Sequence, residues 1–212
     1  MIATAAPLAS CCATLLAAAA SSSSRLAASP RCCSSSDDDA KLIADTYDWL
    51  DGFVIKHNLC PFASGVRSQT RTVVCRDEAL DFVASEAKLL RDVDANQPAT
   101  TLVCLPLFSE FEQLMEFQEA AEAHISLADA AAIQLLAFHP LAEFETPEDP
   151  ADLSLRSPHP LIHLLRDADV VAAEEQWMQA HGEPPSIQER NAAYLRGLGW
   201  PVASRLREGG GG

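Results

Sequence analysis

An α/β domain with a mainly parallel sheet is what this sequence predicts, and two features predict it. Three short apolar runs, Arg71–Arg76 (RTVVCR), Thr100–Leu105 (TTLVCL) and Ala132–Phe138 (AIQLLAF), read as strands. Stretches with helical periodicity separate them. Strand, helix, strand, helix, strand in that order favours parallel strands joined by helical crossovers, a βαβαβ core of three or more strands flanked by helices in one compact domain over 37–207. A ferredoxin-like α+β arrangement with an extra hairpin strand is the alternative.

The elements follow in order. Asp37, Asp38 and Asp39 offer caps and favourable charge to a first helix turn. Leu42, Ile43, Thr46, Leu50, Phe53, Val54 and His57 then recur at helical spacing, and Pro61 discourages continuation beyond Asn58. After the first strand, Asp77 caps a helix with a stripe of Leu80, Val83, Ala84, Ala87 and Leu90. After the second, Ser109 and Glu112 match a capping box that opens a third helix. The third strand ends at His139-Pro140. Residues 141–157 read as a polar loop, and Pro158 or Pro160 starts a helix with Leu161, Leu164, Leu165, Ala168 and Val171 on one stripe. Ala180 to Pro185 breaks it. Ser186 and Glu189 form a second capping box for a last helix reaching Gly197 or Gly199, and 208–212 is a flexible glycine tail.

Composition narrows the function classes. The first 36 residues are rich in Ala and Ser, contain Arg25 and Arg31 and carry no acid, which is the composition of a transit peptide; chloroplast is expected, with mitochondrion as the alternative. Without those two arginines, 13 basic face 30 acidic residues, a net charge near −17. Such a surface repels phosphate backbones and anionic membranes, so neither nucleic acid nor membrane is an expected partner. No run of 18 apolar residues exists to span a bilayer. Cys60, Cys75 and Cys104, three in number beyond the leader and without CxxC spacing, argue against a disulfide framework and a thiolate zinc site.

Four side chains carry the candidate chemistry. His139 sits where the third strand ends, and the carboxyl edge of a parallel sheet is where open α/β folds hold ligands. An imidazole there serves as acid or base near pH 7, or simply bonds a loop carbonyl to fix the Pro140 turn. On the expected helix from Pro158, His159, His163 and Arg166 share a side, and Arg156 precedes it. Arg156 and Arg166 suit bidentate recognition of a carboxylate or phosphate; the plainer reading pairs Arg166 with a neighbouring carboxylate and His163 with Asp167. His159 and His163 have half of a zincin spacing without its glutamate, so no metal site is expected. Cys60 follows a helix end whose dipole raises its pKa, which makes it a turn residue rather than a nucleophile. Arg190 and Asn191 lie on the last helix, within reach of a site or on its solvated face.

Asn58-Leu59-Cys60-Pro61-Phe62-Ala63, Phe138-His139-Pro140, Arg156-Ser157-Pro158, His163-Leu164-Leu165-Arg166 and Arg190-Asn191 occur in this order. Together, over residues 45–200, they resemble the family named domain of unknown function 1415, found in bacteria and plastid-bearing eukaryotes. The resemblance implies a bacterial-type domain carried into a plastid and marks Asn58, Cys60, Pro61, His139, Arg156, His163, Arg166 and Asn191; it implies no activity and no cofactor. The chain departs from the family pattern at His159, where an aromatic Tyr is expected, at Leu153-Ser154-Leu155 and at Asp167 in place of Glu. Two functions fit. One is an enzyme acting on a small anionic metabolite, with His139 and His163 moving protons and Arg156, Arg166 and Asn191 binding substrate, Asn58 and Cys60 in support. The other is a non-enzymatic binding or assembly factor. The first requires the histidines and arginines to face one hollow.

Overall fold

A computed structural model describes residues 36–144, 146–182 and 185–209. The expected leader and the last three glycines lie outside the described residues, except that Ser36 already belongs to the first helix.

Helix α1 (Ser36–Trp49) takes Asp37, Asp38 and Asp39 into its first turn, where they face the positive end of its dipole. It passes directly into a π-helical turn, Leu50–Ile55, and the chain leaves this helix through Asn58 in the left-handed region (φ 52°). Asparagine tolerates that conformation because its short side chain bonds locally. Next come α2 (Ala63–Val66) and strand β1 (Thr70–Val74). Helix α3 (Ala79–Arg91) starts behind Glu78, one residue later than the expected Asp77 cap, and precedes β2 (Thr100–Cys104). Helix α4 (Phe111–His124) forms without the expected capping box. Its N-cap position falls on Glu110, so Ser109 and Glu112 are out of register by one residue. The short α5 (Leu127–Ala130) and β3 (Ile133–Phe138) follow.

The largest correction comes after the loop, which contains a 3-10 segment at Pro150–Leu155. Residues Leu161–Arg166, expected to open a helix, form strand β4, and α6 (Asp167–His181) begins only behind it. A run as apolar as LIHLLR has no polar face for a surface helix to show solvent, and such short runs fit either element. Tertiary pairing decides. Leu161, Ile162 and Leu164 are all fully buried, as a strand covered on both faces demands. Helix α7 (Ile187–Leu198) opens with its capping box formed, both Ser186 and Glu189 bonds present. Gly199 ends it with positive φ, and a further helix not foreseen, α8 (Trp200–Arg207), follows.

The sheet is therefore mixed rather than mainly parallel. Its order is β1-β2-β4-β3, with β1 and β2 parallel and β4 antiparallel to both of its neighbours. Strands β1, β2 and β3 still point the same way, as helical crossovers require, but β4 is inserted between β2 and β3. Helices α3 and α4 cover one face, where Val83, Ala87, Leu90 and Leu114 meet Val103, Ile162 and Leu164. The other face carries Leu102 and Leu161 beneath Trp49, Leu50 and Phe53, with Leu153, Leu195 and Ala203 closing the cluster. Strand alternation then puts His163 on this α1 face and Arg166 on the α3–α4 face.

Candidate functional site

His139 and Arg156 meet at the carboxyl edge of β1–β3. The His139 N–H donates to the Leu155 carbonyl (3.1 Å), and Arg156 Nε donates to the Ala142 carbonyl (2.7 Å) inside the turn that His139 begins. The imidazole is almost fully buried (1% exposed) and both nitrogens are engaged: Nδ1 accepts from the Leu141 N–H (3.0 Å), so Nε2 donates to the Phe108 carbonyl (3.2 Å). In this arrangement the ring braces the Pro140 turn.

Arg166 lies at the opposite, amino end of those strands. Its guanidinium pairs with Asp169 (2.7 Å) and donates to the carbonyls of Val93 (2.9 Å), Asp94 (3.3 Å) and Gln97. It thus ties the start of α6 to the loop before β2. The four side chains expected around one hollow are accordingly spread apart: His139 and Arg156 at the carboxyl edge, Arg166 at the amino edge and His163 in mid-sheet on the other face from Arg166. A cavity of about 240 Å³ does open at the amino end, lined by Arg71, Leu89, Val93, Gln97 and Thr100 among others, and Arg71 is already paired with Glu86.

Asn58, Cys60 and Asn191 are brought together as a clamp. Asn191 Nδ2 donates to the Leu59 carbonyl (2.8 Å), while Arg190 donates to the carbonyls of Asn58 (2.5 Å) and Leu59 (3.2 Å) and lies over the Trp177 ring (5.5 Å). These bonds from α7 hold the left-handed Asn58 turn in place. Burial pushes the Cys60 thiol up, opposed by the Phe62 and Ala63 N–H groups and by Arg190, so the group rests as a thiol.

His163 has a different character. It stands half-buried in mid-sheet, and its Nε2 lies 2.6 Å from Thr100 Oγ1. The Thr100 hydroxyl donates to the Leu164 carbonyl (2.8 Å), so its oxygen accepts from the imidazole and the proton belongs on Nε2. Nδ1 keeps its lone pair. Burial lowers the pKa to about 4, leaving the ring neutral at ordinary pH. The expected His163–Asp167 pair is absent; Asp167 accepts instead from Gln134 Nε2 (2.6 Å). His159, also expected near His163, points to Asp45 on α1 (2.8 Å), and no group of three metal-ligating side chains occurs among the described residues.

Around His163, sequence reasoning missed two groups. Phe138 packs against both His163 (6.1 Å between ring centres) and Trp49 (5.8 Å). The Trp49 Nε1–H is buried without a hydrogen-bond partner among the described residues. Thr72 shares a cross-sheet row with Leu102, His163 and Leu136, and its buried Oγ1 is likewise unpartnered. The two groups lie on one sheet face but apart, Thr72 with Leu102 between it and His163 and Trp49 against Phe138 on the far strand, and leaving each unmet costs about 1–3 kcal/mol. Nothing in the sequence signals this, because Trp49 falls within the expected first helix and Thr72 within the expected first strand like any other residue there.

No helix among the described residues is long and apolar enough to cross a membrane. Neither a curated protein nor a solved structure matches the chain. A family does match, over residues 41–204, a span that takes in the Asn58–Cys60 clamp, the His139 turn and the whole of β4. The chain belongs to that family, described as Protein of unknown function (DUF1415).

Proposed function

We propose that this protein binds a small anionic metabolite on the α1 face of the sheet, and that His163 is the group placed to move a proton there. The observation that carries the reading is the neutral imidazole, held by Thr100 through Nε2 with Nδ1 left as acceptor, on the face where Trp49 Nε1 and Thr72 Oγ1 lack partners among the described residues. A guest with a carbonyl or hydroxyl would answer the indole N–H, and Nδ1 would take a proton from a nearby acidic group. A base of low pKa suits transient acceptance rather than storage of that proton. In this reading His139, Arg166 and Asn191 position the surrounding chain and do not touch the guest. We propose further that residues 1–36 direct the protein to the chloroplast, which the accumulation of a fluorescent fusion in plastids or elsewhere decides.

The test of the site is a thermal-shift panel of carboxylated and phosphorylated metabolites, followed by Trp49→Phe and His163→Gln. Trp49→Phe keeps an aromatic ring against Phe138 but removes the unmet donor. Affinity for a stabilising metabolite should then fall about tenfold, the worth of one hydrogen bond to a buried group. Failure of every metabolite to stabilise the protein, or wild-type affinity in both variants, rejects the reading.

A further inference from the structure

Helices α1, α3, α4, α7 and α8 each bury at least one side chain. Helix α6 (Asp167–His181) is longer than any of them and buries none of its 15 residues. Its place in the chain explains why. The apolar stripe that the sequence offers here is Leu161, Leu164, Leu165, Ala168 and Val171, and the first three belong to β4. The helix therefore begins with its best packing residues already used.

Contacts hold α6 near its two ends. At the start, Asp169 accepts from Arg166 Nε (2.7 Å) and from the Ala99 N–H (3.2 Å). Towards the end, the Trp177 ring meets Phe62 edge-on (6.4 Å) and Arg190 (5.5 Å), and it stacks on His181 (3.9 Å). Half-buried Val170, Ala173 and Trp177 share this inner side. The outer side is different. At about 3.6 residues per turn, Ala168, Val171, Glu174, Glu175 and Met178 fall on one face. All five are exposed, Val171 at 45% and Met178 at 51%. Neither glutamate has an ion pair among the described residues, and α6 contains no Lys or Arg.

An unpacked helix of this length stands at the margin of stability in water, because packing of an apolar face supplies most helical stability in folded proteins. The alanines of α6 favour the helix, but Val170, Val171 and Trp177 do not. A second helix laid on the outer face would supply the missing packing. It would cover Val171 and Met178, two turns apart, and its charge between them has to be positive to meet Glu174 and Glu175. A second copy of this chain fails that requirement. Two-fold pairing centred midway between Val171 and Met178 brings four carboxylates together, in chains of net charge −15 each. We propose that the outer face of α6 docks a basic amphipathic helix of a partner protein, with apolar side chains against Val171 and Met178 and Lys or Arg opposite Glu174 and Glu175. The surface is independent of the metabolite reading and of His163.

The test uses the full chain and a fluorescein-labelled synthetic helix with leucines on one face and lysines flanking them. A peptide with glutamates for the lysines and one of scrambled order are the controls. Fluorescence anisotropy should show binding of the lysine helix alone, weakening as salt rises. Val171→Gln and Met178→Gln should each weaken it about tenfold, and Glu174→Gln combined with Glu175→Gln should remove most of the salt dependence. These side chains lie on the surface, so the variants retain the fold. Leu127→Gln, at an apolar side chain 91% exposed on α5, should bind like wild type. Hydrogen exchange gives the second readout: in the free protein α6 amides should exchange faster than those of β4, and slow about tenfold at saturation. Equal protection of α6 and β4 without peptide, no binding of the lysine helix, equally tight binding of the scrambled one, or wild-type affinity in Met178→Gln overturns the proposal. Protection of α6 that rises with protein concentration alone assigns the face to a second copy and overturns it as well.

Discussion

At His163, proton position and solvent access together determine how the protein responds to acid. In the unfolded chain the imidazole titrates near 6.5, and in the folded protein burial lowers this to about 4. Between those values the unfolded state binds more protons, so stability rises with pH there. The contribution is fully present above pH 6.5 and drains away as pH falls through the folded value. Because the ring is only half-buried, we expect about 2 kcal/mol rather than the larger amount the full pKa difference implies. Urea unfolding across that window should show the loss in wild type and a flatter profile in His163→Gln, where the residue cannot charge. Parallel profiles would mean that His163 is protonated as easily in the folded chain as in the unfolded one. His139 differs: Nδ1 holds the Pro140 turn and Nε2 the Phe108 carbonyl after β2, so the strand end indicated the edge, and of the two roles it allowed the hydrogen-bonded turn is the one the geometry displays.

At the scale of elements, two identical-looking signals part company. Ser109 with Glu112 and Ser186 with Glu189 have the same spacing, yet only the second makes the reciprocal bonds. The difference is one residue of register, since α4 starts behind Glu110 and leaves Ser109 outside the cap. Ser186→Ala should therefore cost about 1 kcal/mol, whereas Ser109→Ala should stay within about 0.5 kcal/mol. Chemical denaturation of both variants checks this directly, and equal costs would place a working cap at Ser109. Strand β4 teaches the complementary lesson. Leu161, Ile162, Leu164 and Leu165 satisfy a helical stripe as readily as a buried strand, and the prolines at 158 and 160 are as acceptable before either. What excludes the helix is the pairing of every residue of the run with β3, and of all but Arg166 with β2, which no local pattern contains.

Across the whole molecule, the same distinction explains what was legible. The directions of β1, β2 and β3 follow from the helices between them, and the sequence supports that inference; strand neighbours do not follow, because β4 reaches its place from far along the chain. The Asn58 clamp was visible only as separate motifs, and Trp49 and Thr72 were invisible because an unmet hydrogen bond is a property of the packed interior. The sheet order makes a strong demand on folding. Strand β3 touches the sheet only through β4, so a chain ending at Pro160 would retain the β1–β2 pair while leaving β3 without any partner. It would also lose Ile162 and Leu164 from one core, Leu161 and Leu195 from the other, and the α7 bonds that hold Asn58 and Leu59. Two strands and the α1, α3 and α4 helices bury too little without that central strand to offset the entropy of ordering them. The truncated chain should show no cooperative thermal transition, and its β1 and β2 amides should exchange as fast as those of a loop. If it melted cooperatively with protected β1 and β2 amides, the late-arriving central strand would be an addition to a finished domain rather than the piece that completes it.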